Sequence, residues 1–174
     1  MPLGDRLVIV QADITTLDVD AIVNAANIAL MPGGGVCGAI HKAAGPELAD
    51  ACRDEAPCPT GEARLTPGFH LKARCVVHAV GPVWNGGAQN EDRLLGSCYR
   101  SAMTIADRNG IATIAFPAIS TGIYGFPLER ATAIALRELA GALEWALRVK
   151  QVTCACFNEG TLEIYKRTRE QLGL

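Results

Sequence analysis

Aromatic residues are scarce in this chain, with four Phe, three Tyr and two Trp among 174 residues. Alanine and glycine fill the gap, a mix that suits an α/β layered domain in which small residues let helices pack closely on a sheet. Neither sign of charge dominates: 16 Lys and Arg stand against 18 Asp and Glu. The basic footprint of a nucleic-acid binder is therefore missing. Any phosphate ligand must be held by backbone N–H groups and helix dipoles, not by a cluster of cations. No apolar run reaches the ~20 residues needed to cross a bilayer, so no membrane association is expected. Histidine is rare, at three residues, and no CxxC pair occurs. No metal and no other cofactor is expected. The seven cysteines (Cys37, Cys52, Cys58, Cys75, Cys98, Cys154 and Cys156) are odd in number, and no signal peptide is read at the start. That argues against a secreted disulfide framework and for small buried thiols in a reducing, cytoplasmic setting. No repeat, linker or low-complexity stretch breaks the chain, and residues 1–174 are read as one domain.

Strand and helix patterns alternate along the chain. Strands are expected at Leu7–Gln11, at Ala21–Val23 before Asn24, at Ala63–Leu65, at Cys75–Val80, at Thr113–Phe116 and at Gln151–Phe157. Helices are expected over Val36–Ala44, Pro46–Glu55, Glu91–Asn109, Pro127 to about Leu147, and Leu162–Leu172. The order implies a three-layer α/β/α domain around a mixed, largely parallel sheet. Ligands of such sheets bind at the carboxyl ends of strands.

Two loops should open at that edge. The first contains Asn24, Asn27 and the track Gly33-Gly34-Gly35, followed by the helix that carries Cys37 and His41. A bare backbone beside a helix N-terminus is what a diphosphate needs. Gly33, Gly35 and Gly38 match G-x-G-x-x-G. The strand ends near Asn24, however, several residues too early for a dinucleotide-dehydrogenase turn, and Asp54 and Glu55 sit in a helix. The second loop, Pro117–Gly125, offers Ser120, Thr121, Gly122, Ile123 and Tyr124. The second loop taken alone reads as an ordinary strand-to-helix turn, whereas both loops at one sheet edge suggest a diphosphate clamp. Asp13, after the first strand, could accept from an exocyclic amine, and if buried would select adenine. It could equally cap a turn with Thr15 and Thr16. His78, mid-strand, reads as a core imidazole bonded to backbone, and His70 carries no role.

These segments together resemble the macrodomain family, specifically its MacroD-like group of ADP-ribosyl hydrolases and O-acetyl-ADP-ribose deacetylases. The resemblance runs through DIT at Asp13, IVNAAN at Ile22–Asn27, GGGVCGAIHKAAG at Gly33–Gly45, VVHAVGPVW at Val76–Trp84, IAFPAISTGIYGFP at Ile114–Pro127 and CFNE near Phe157. It implies roles. Asp13 would bind the adenine amine, the Ile14 backbone an adenine ring nitrogen, and Phe157 would lie against the base. Gly34, Gly35 and Val36 would line the distal ribose and phosphate. Ser120 to Tyr124 would supply the diphosphate loop, with the Tyr124 ring along the distal ribose. Asn27 would bond the distal ribose hydroxyls, Asn24 would hold the loop, and His41 would order the wall behind Cys37. The implied partners are ADP-ribose or O-acetyl-ADP-ribose and mono-ADP-ribosylated proteins, met by a monomer.

The chain departs from the family pattern at two positions. Ala12 stands where members often have Gly. Cys37 stands where many hydrolytic members place an Asp held to orient or activate water. Viral macrodomains of alphavirus type also carry Cys here. Three readings of the centre follow. In the first, Asn27 and the loops position an ADP-ribosyl ester while a substrate phosphate oxygen polarises the water. In the second, the domain is an ADP-ribose reader without useful catalysis. In the third, Cys37 is a nucleophile activated by its helix N-terminus and His41, although a bound diphosphate nearby would disfavour its thiolate.

Overall fold

The computed structural model describes residues 1–174. A short helix α1 (Leu3–Arg6) leads into β1 (Leu7–Gln11), followed by a 3-10 turn at Ile14–Thr16 and β2 (Ala21–Ala25). Helices α2 (Gly35–Ala44) and α3 (Glu47–Glu55) precede β3 (Ala63–Pro67) and β4 (Cys75–Ala79). Then come α4 (Glu91–Arg108), β5 (Thr113–Phe116), α5 (Leu128–Trp145), β6 (Gln151–Cys156) and α6 (Glu159–Leu172). The six strands form one sheet in the order β1-β6-β5-β2-β4-β3. Every pair is parallel except β3 with β4.

The three layers follow from period-2 alternation along the strands. Ala21 and Val23, Val77 and Ala79, Ile114 and Phe116, and Val152 and Cys154 point to one face. There they pack with Leu95, Tyr99 and Met103 of α4, Leu136, Leu139 and Leu143 of α5, and Tyr165 of α6. Ile22, Val76, Ala115 and Ala155 point to the other face and meet Ile40 of α2 and Leu48 and Cys52 of α3. Asn24 shares the second face with Ile22, and His78 shares it with Val76. Thr66 of β3, opposite Val76, joins them, so this face carries three buried polar side chains under α2 and α3.

Several boundaries move from expectation for physical reasons. β2 continues through Asn24 and Ala25, which pair with His78 and Ala79 of β4. α6 begins at Glu159, because Asn158 caps it by accepting from the Thr161 N–H at 2.9 Å. Its first turn is polar, so apolar spacing starts later than the helix does. β3 runs antiparallel because the connection from Pro67 to Cys75 is too short for a crossover. No helix is long and apolar enough to cross a membrane.

Candidate functional site

The ends of the five parallel strands, β1, β6, β5, β2 and β4, line up at the carboxyl edge. β2 and β5 are neighbours, and the loops that follow them face each other across a cleft of about 340 Å³. Its walls come from Asn27, Gly33, Gly34, Gly35, Val36 and Cys37 on one side. Ala118, Ile119, Ser120, Gly122, Ile123 and Tyr124 form the other side, with Ala25, Ala26 and Gly81 between them. No lysine or arginine lines the cleft.

The first wall is a helix N-terminus without a cap. Gly34 makes no side-chain capping bond to α2, and the first helical bond runs from Gly38 N–H to the Gly34 carbonyl at 3.3 Å. The N–H groups ahead of Gly38 are left for a ligand, and the helix dipole adds positive potential there. The glycine track can fold over this turn because Gly38 has no side chain. A Cβ there would lie 2.5 Å from the Gly33 carbonyl oxygen. Gly35 supplies the left-handed backbone, at φ +59°, that starts the helix.

The second wall stores strain. Ser120 is a buried non-glycine residue at φ +68°, and its hydroxyl has no partner in the protein. Such conformations persist where the surroundings enforce them. Phe126 N–H on the Ser120 carbonyl at 2.9 Å and Gly125 N–H on the Gly122 carbonyl at 3.0 Å fix the turn. Thr121 turns its hydroxyl back onto the Ala118 carbonyl at 2.7 Å and does not line the cavity. The N–H groups of Ser120, Gly122, Ile123 and Tyr124 bond to no other group of the chain. Gly81, at the end of β4, makes room for this loop. A Cβ on it would fall 2.2 Å from Ser120 Oγ. Ile123 reaches across, with its Cδ1 3.3 Å from where a Gly34 Cβ would be. The walls therefore nearly touch over the cleft.

At the β2 end, Asn27 spends both ends of its amide on one residue. Its Nδ2 donates to the Met31 carbonyl at 2.8 Å, and its Oδ1 accepts from the Met31 N–H at 3.0 Å. One amide hydrogen and one lone pair remain for a ligand. Cys37 is 6% exposed, in the first turn of α2. Its thiol faces the Met31 carbonyl at 3.7 Å and receives Asn24 Nδ2 at 3.7 Å. Burial, and then the nearness of Cys37, push the Tyr124 phenol up, so it is neutral in the cleft.

Asn24 and the histidines lie behind this wall. Asn24, 1% exposed, holds the start of α2 to the sheet instead of bracing the loop, a task that falls to Asn27. His78 is a core imidazole, but its partners are side chains and not backbone. Asn24 Nδ2 lies at 3.1 Å from Nδ1, and Thr66 Oγ1 at 2.9 Å from Nε2. Burial, with a smaller effect from His41, pushes His78 down to about 3, so it is neutral at physiological pH. His41 is buried, displaced downward in pKa by that burial, and neither ring nitrogen has a protein partner. It sits behind the cleft and not in its lining.

At the far end, β1 and β6 are neighbours, tied past their ends by Ala12 N–H on the Cys156 carbonyl at 3.0 Å. Asp13 is exposed, not buried. Its Oδ1 caps the 3-10 turn by accepting from the Thr15 N–H at 3.0 Å and the Thr15 hydroxyl at 2.7 Å. Its second oxygen is free. Ile14 is buried, and Phe157 is 81% exposed. None of the three lines the cavity. They mark a shelf at the same edge, two to three strand spacings, or about 10–14 Å, from the β2 end. Gly33, Ala118 and Ile119 also contribute to the walls, read from the sequence only as members of the two loops and given no contact of their own, and Gly81 was not singled out at all. Gly81 was legible only as a glycine directly after a strand.

The sequence over the cleft matches a known family. The Macro domain matches residues 23–135, a span that holds both loops. The chain is a macrodomain. A macro domain-containing protein of Chlorobaculum tepidum is 50% identical over 167 residues, covering 96% of this chain and 97% of its own. A protein of Salmonella typhimurium named O-acetyl-ADP-ribose deacetylase is 48% identical over 175 residues, covering 98% of each. Among solved structures, an Oceanobacillus iheyensis macrodomain variant with ADPR superposes with a TM-score of 0.91 at 40% identity, over 99% of this chain and 96% of that one. A Trypanosoma brucei macrodomain in complex with ADP-ribose gives 0.87 at 43% identity, over 93% and 68%. The three-layer fold expected from the alternation of elements is the fold of these macrodomains.

Proposed function

We propose that this macrodomain binds ADP-ribose along the carboxyl edge of its sheet and hydrolyses ester-linked derivatives of it. O-acetyl-ADP-ribose is one substrate class, and mono-ADP-ribosyl esters of protein Asp or Glu are another. The cleft itself carries the reading: unpaired N–H groups on two facing walls, no cation, and a strained Ser120 with an unpartnered hydroxyl. A diphosphate satisfies all of these at once. The adenine end falls on the shelf, with the free Asp13 oxygen toward the exocyclic amine, Ile14 beneath and Phe157 against the ring. The distal ribose falls between Asn27, Tyr124 and the glycine track. Names and structures of the relatives support the same ligand.

The remaining amide hydrogen and lone pair of Asn27 orient the ribose. With Cys37 in place of a carboxylate, water is held and polarised by a substrate phosphate oxygen. It attacks the ester, and the ribose oxygen leaves with a proton. Positioning can supply ~7–11 kcal/mol when geometry is ideal, whereas a general base is typically worth ~10²–10⁴-fold, so the reaction slows without stopping. A nucleophilic Cys37 is disfavoured by the diphosphate beside it. One observation favours a second reading, a binding reader: Cys37 offers no carboxylate, and Asn27 is already committed to Met31. Calorimetry with ADP-ribose, run beside turnover of both ester classes by wild type, Asn27→Ala and Cys37→Asp, separates the two. Turnover lost in Asn27→Ala supports hydrolysis, while tight binding with no release over hours supports the reader.

A further inference from the structure

Behind Cys37 lies a chain of polar side chains that the reaction above does not use. Thr66 (β3), His78 (β4) and Asn24 (β2) sit side by side on the sheet face covered by α2 and α3, each buried. One end of the chain points to the direction of their hydrogen bonds. The Pro67 carbonyl can only accept, and Thr66 Oγ1 lies 3.2 Å from it. A hydroxyl proton placed on that carbonyl leaves Thr66 Oγ1 to accept from His78 Nε2 at 2.9 Å, whereas one placed on Nε2 would call for the opposite tautomer. In the first arrangement Nδ1 of the neutral ring is a bare acceptor. The Asn24 NH₂ faces it, at 3.1 Å. The same nitrogen lies 3.7 Å from Cys37 Sγ, and the Asn24 carbonyl oxygen is left buried without a partner. Cys52 Sγ, 3.6 Å from Nε2 and 4.0 Å from Nδ1, is a weak partner to either nitrogen and does not choose between them.

We propose that Thr66 and His78 are positioning residues for the side chain at position 37. They lock the Asn24 amide so that its N–H, and never its carbonyl, faces that side chain. The slot at 37 is thereby built for a hydrogen-bond acceptor: a sulfur in this chain, a carboxylate oxygen equally well. Neither Thr66 nor His78 lines the cleft, so neither can act by touching a ligand.

The first test needs no enzyme activity. In ¹⁵N-labelled wild type, imidazole ¹H–¹⁵N correlations should show His78 protonated on Nε2 alone. A proton on Nδ1 overturns the proposal. Thr66→Val keeps the shape and removes the hydroxyl, and should admit the Nδ1–H form, while Thr66→Ser should restore Nε2–H. An unchanged tautomer in Thr66→Val overturns the lock. The kinetic arm rests on the hydrolase reading and uses the Cys37→Asp background. There Thr66→Val should lower kcat about 3- to 10-fold, the size of one hydrogen bond, with KM held and Thr66→Ser rescuing. Stability lost with kcat unchanged overturns the positioning role. If neither wild type nor Cys37→Asp turns over any ester, the hydrolase reading fails by itself, and the tautomer still decides the lock.

Discussion

The two ends of the carboxyl edge are built differently. At β2 and β5 the loops are clamped: Asn27 holds Met31 with both amide ends, Ser120 is forced into a left-handed turn, and Gly38 and Gly81 admit backbone and side chains no other residue would admit. At β1 and β6 the surface is open: Asp13 is exposed and caps a turn, and Phe157 lies almost entirely in solvent. The closed half places strain and free donors where the proposed diphosphate and its reacting ribose would lie. The open half offers one carboxylate oxygen and one aromatic face, which in the proposed binding mode would choose a base without enclosing it. Diphosphate binding and turnover should therefore be sensitive to small changes at the closed end, and only affinity should respond at the open end.

The largest expected effect is at Asn27. Asn27→Ala removes the proposed ribose contact and the Met31 clamp together, and turnover of O-acetyl-ADP-ribose should fall by about 10²-fold or more, the scale of a lost transition-state contact. A fall of less than threefold would place the reacting centre elsewhere. Next comes Gly81→Ala. Its Cβ would meet Ser120 Oγ at 2.2 Å and Ile119 Cγ2 at 2.6 Å. Overpacking of this kind costs ~1–3 kcal/mol, visible as a lower Tm, and ADP-ribose affinity should drop as the loop shifts. Unchanged affinity would show that the second wall is not part of the clamp.

At the open end the effect is smaller and of another kind. Phe157→Ala should weaken ADP-ribose binding by about 1 kcal/mol, roughly fivefold, with Tm and kcat unchanged, because the ring is already outside the core. A loss of kcat there would erase the contrast between the ends. The smallest effect concerns support of the closed end. The buried Glu91 carboxylate accepts from the N–H groups of Asn85 at 3.0 Å, Gly87 at 2.7 Å and Gln89 at 2.5 Å. This loop leads back to Trp84, whose N–H donates to the Tyr124 carbonyl at 2.8 Å. Burial raises the Glu91 pKa, but these backbone bonds outweigh it and hold the carboxyl below its ordinary value. A depressed carboxylate stabilises the fold above its unfolded value, and that stabilisation is lost as pH falls through the folded one. Glu91→Gln should therefore lower Tm at neutral pH, and the difference should shrink below about pH 4. A difference that stayed constant to pH 3 would mean the charge carries none of it.

Most of the scaffold was legible because period and punctuation agreed with packing. Leu7–Gln11, Thr113–Phe116 and Val36–Ala44 each carried an apolar pattern that the sheet or helix then buried. Misses fell where long-range pairing or a cap overrode local pattern, as at Asn24–Ala25 in β2 and Glu159–Thr161 in α6. α1 is four residues long and buries none of them, so no apolar stripe announced it. The glycine loops were legible as the two sides of one cleft because a missing side chain is itself a sequence signal. The exposure of Asp13 was not, since burial depends on what covers a loop. Nor was the Thr66–His78–Asn24 chain, which exists only through strand register: Asn24 stands opposite His78, and Thr66 opposite Val76, one diagonal step away.

The central claim is that this cleft turns over an ADP-ribosyl ester without a carboxylate at position 37. The direct measurement is a time course of O-acetyl-ADP-ribose consumed by wild type and by Cys37→Asp, at equal concentrations that saturate both. Slow, saturable turnover by wild type and faster turnover by Cys37→Asp is the predicted result. Saturated binding with no ester consumed by either protein over hours would contradict it.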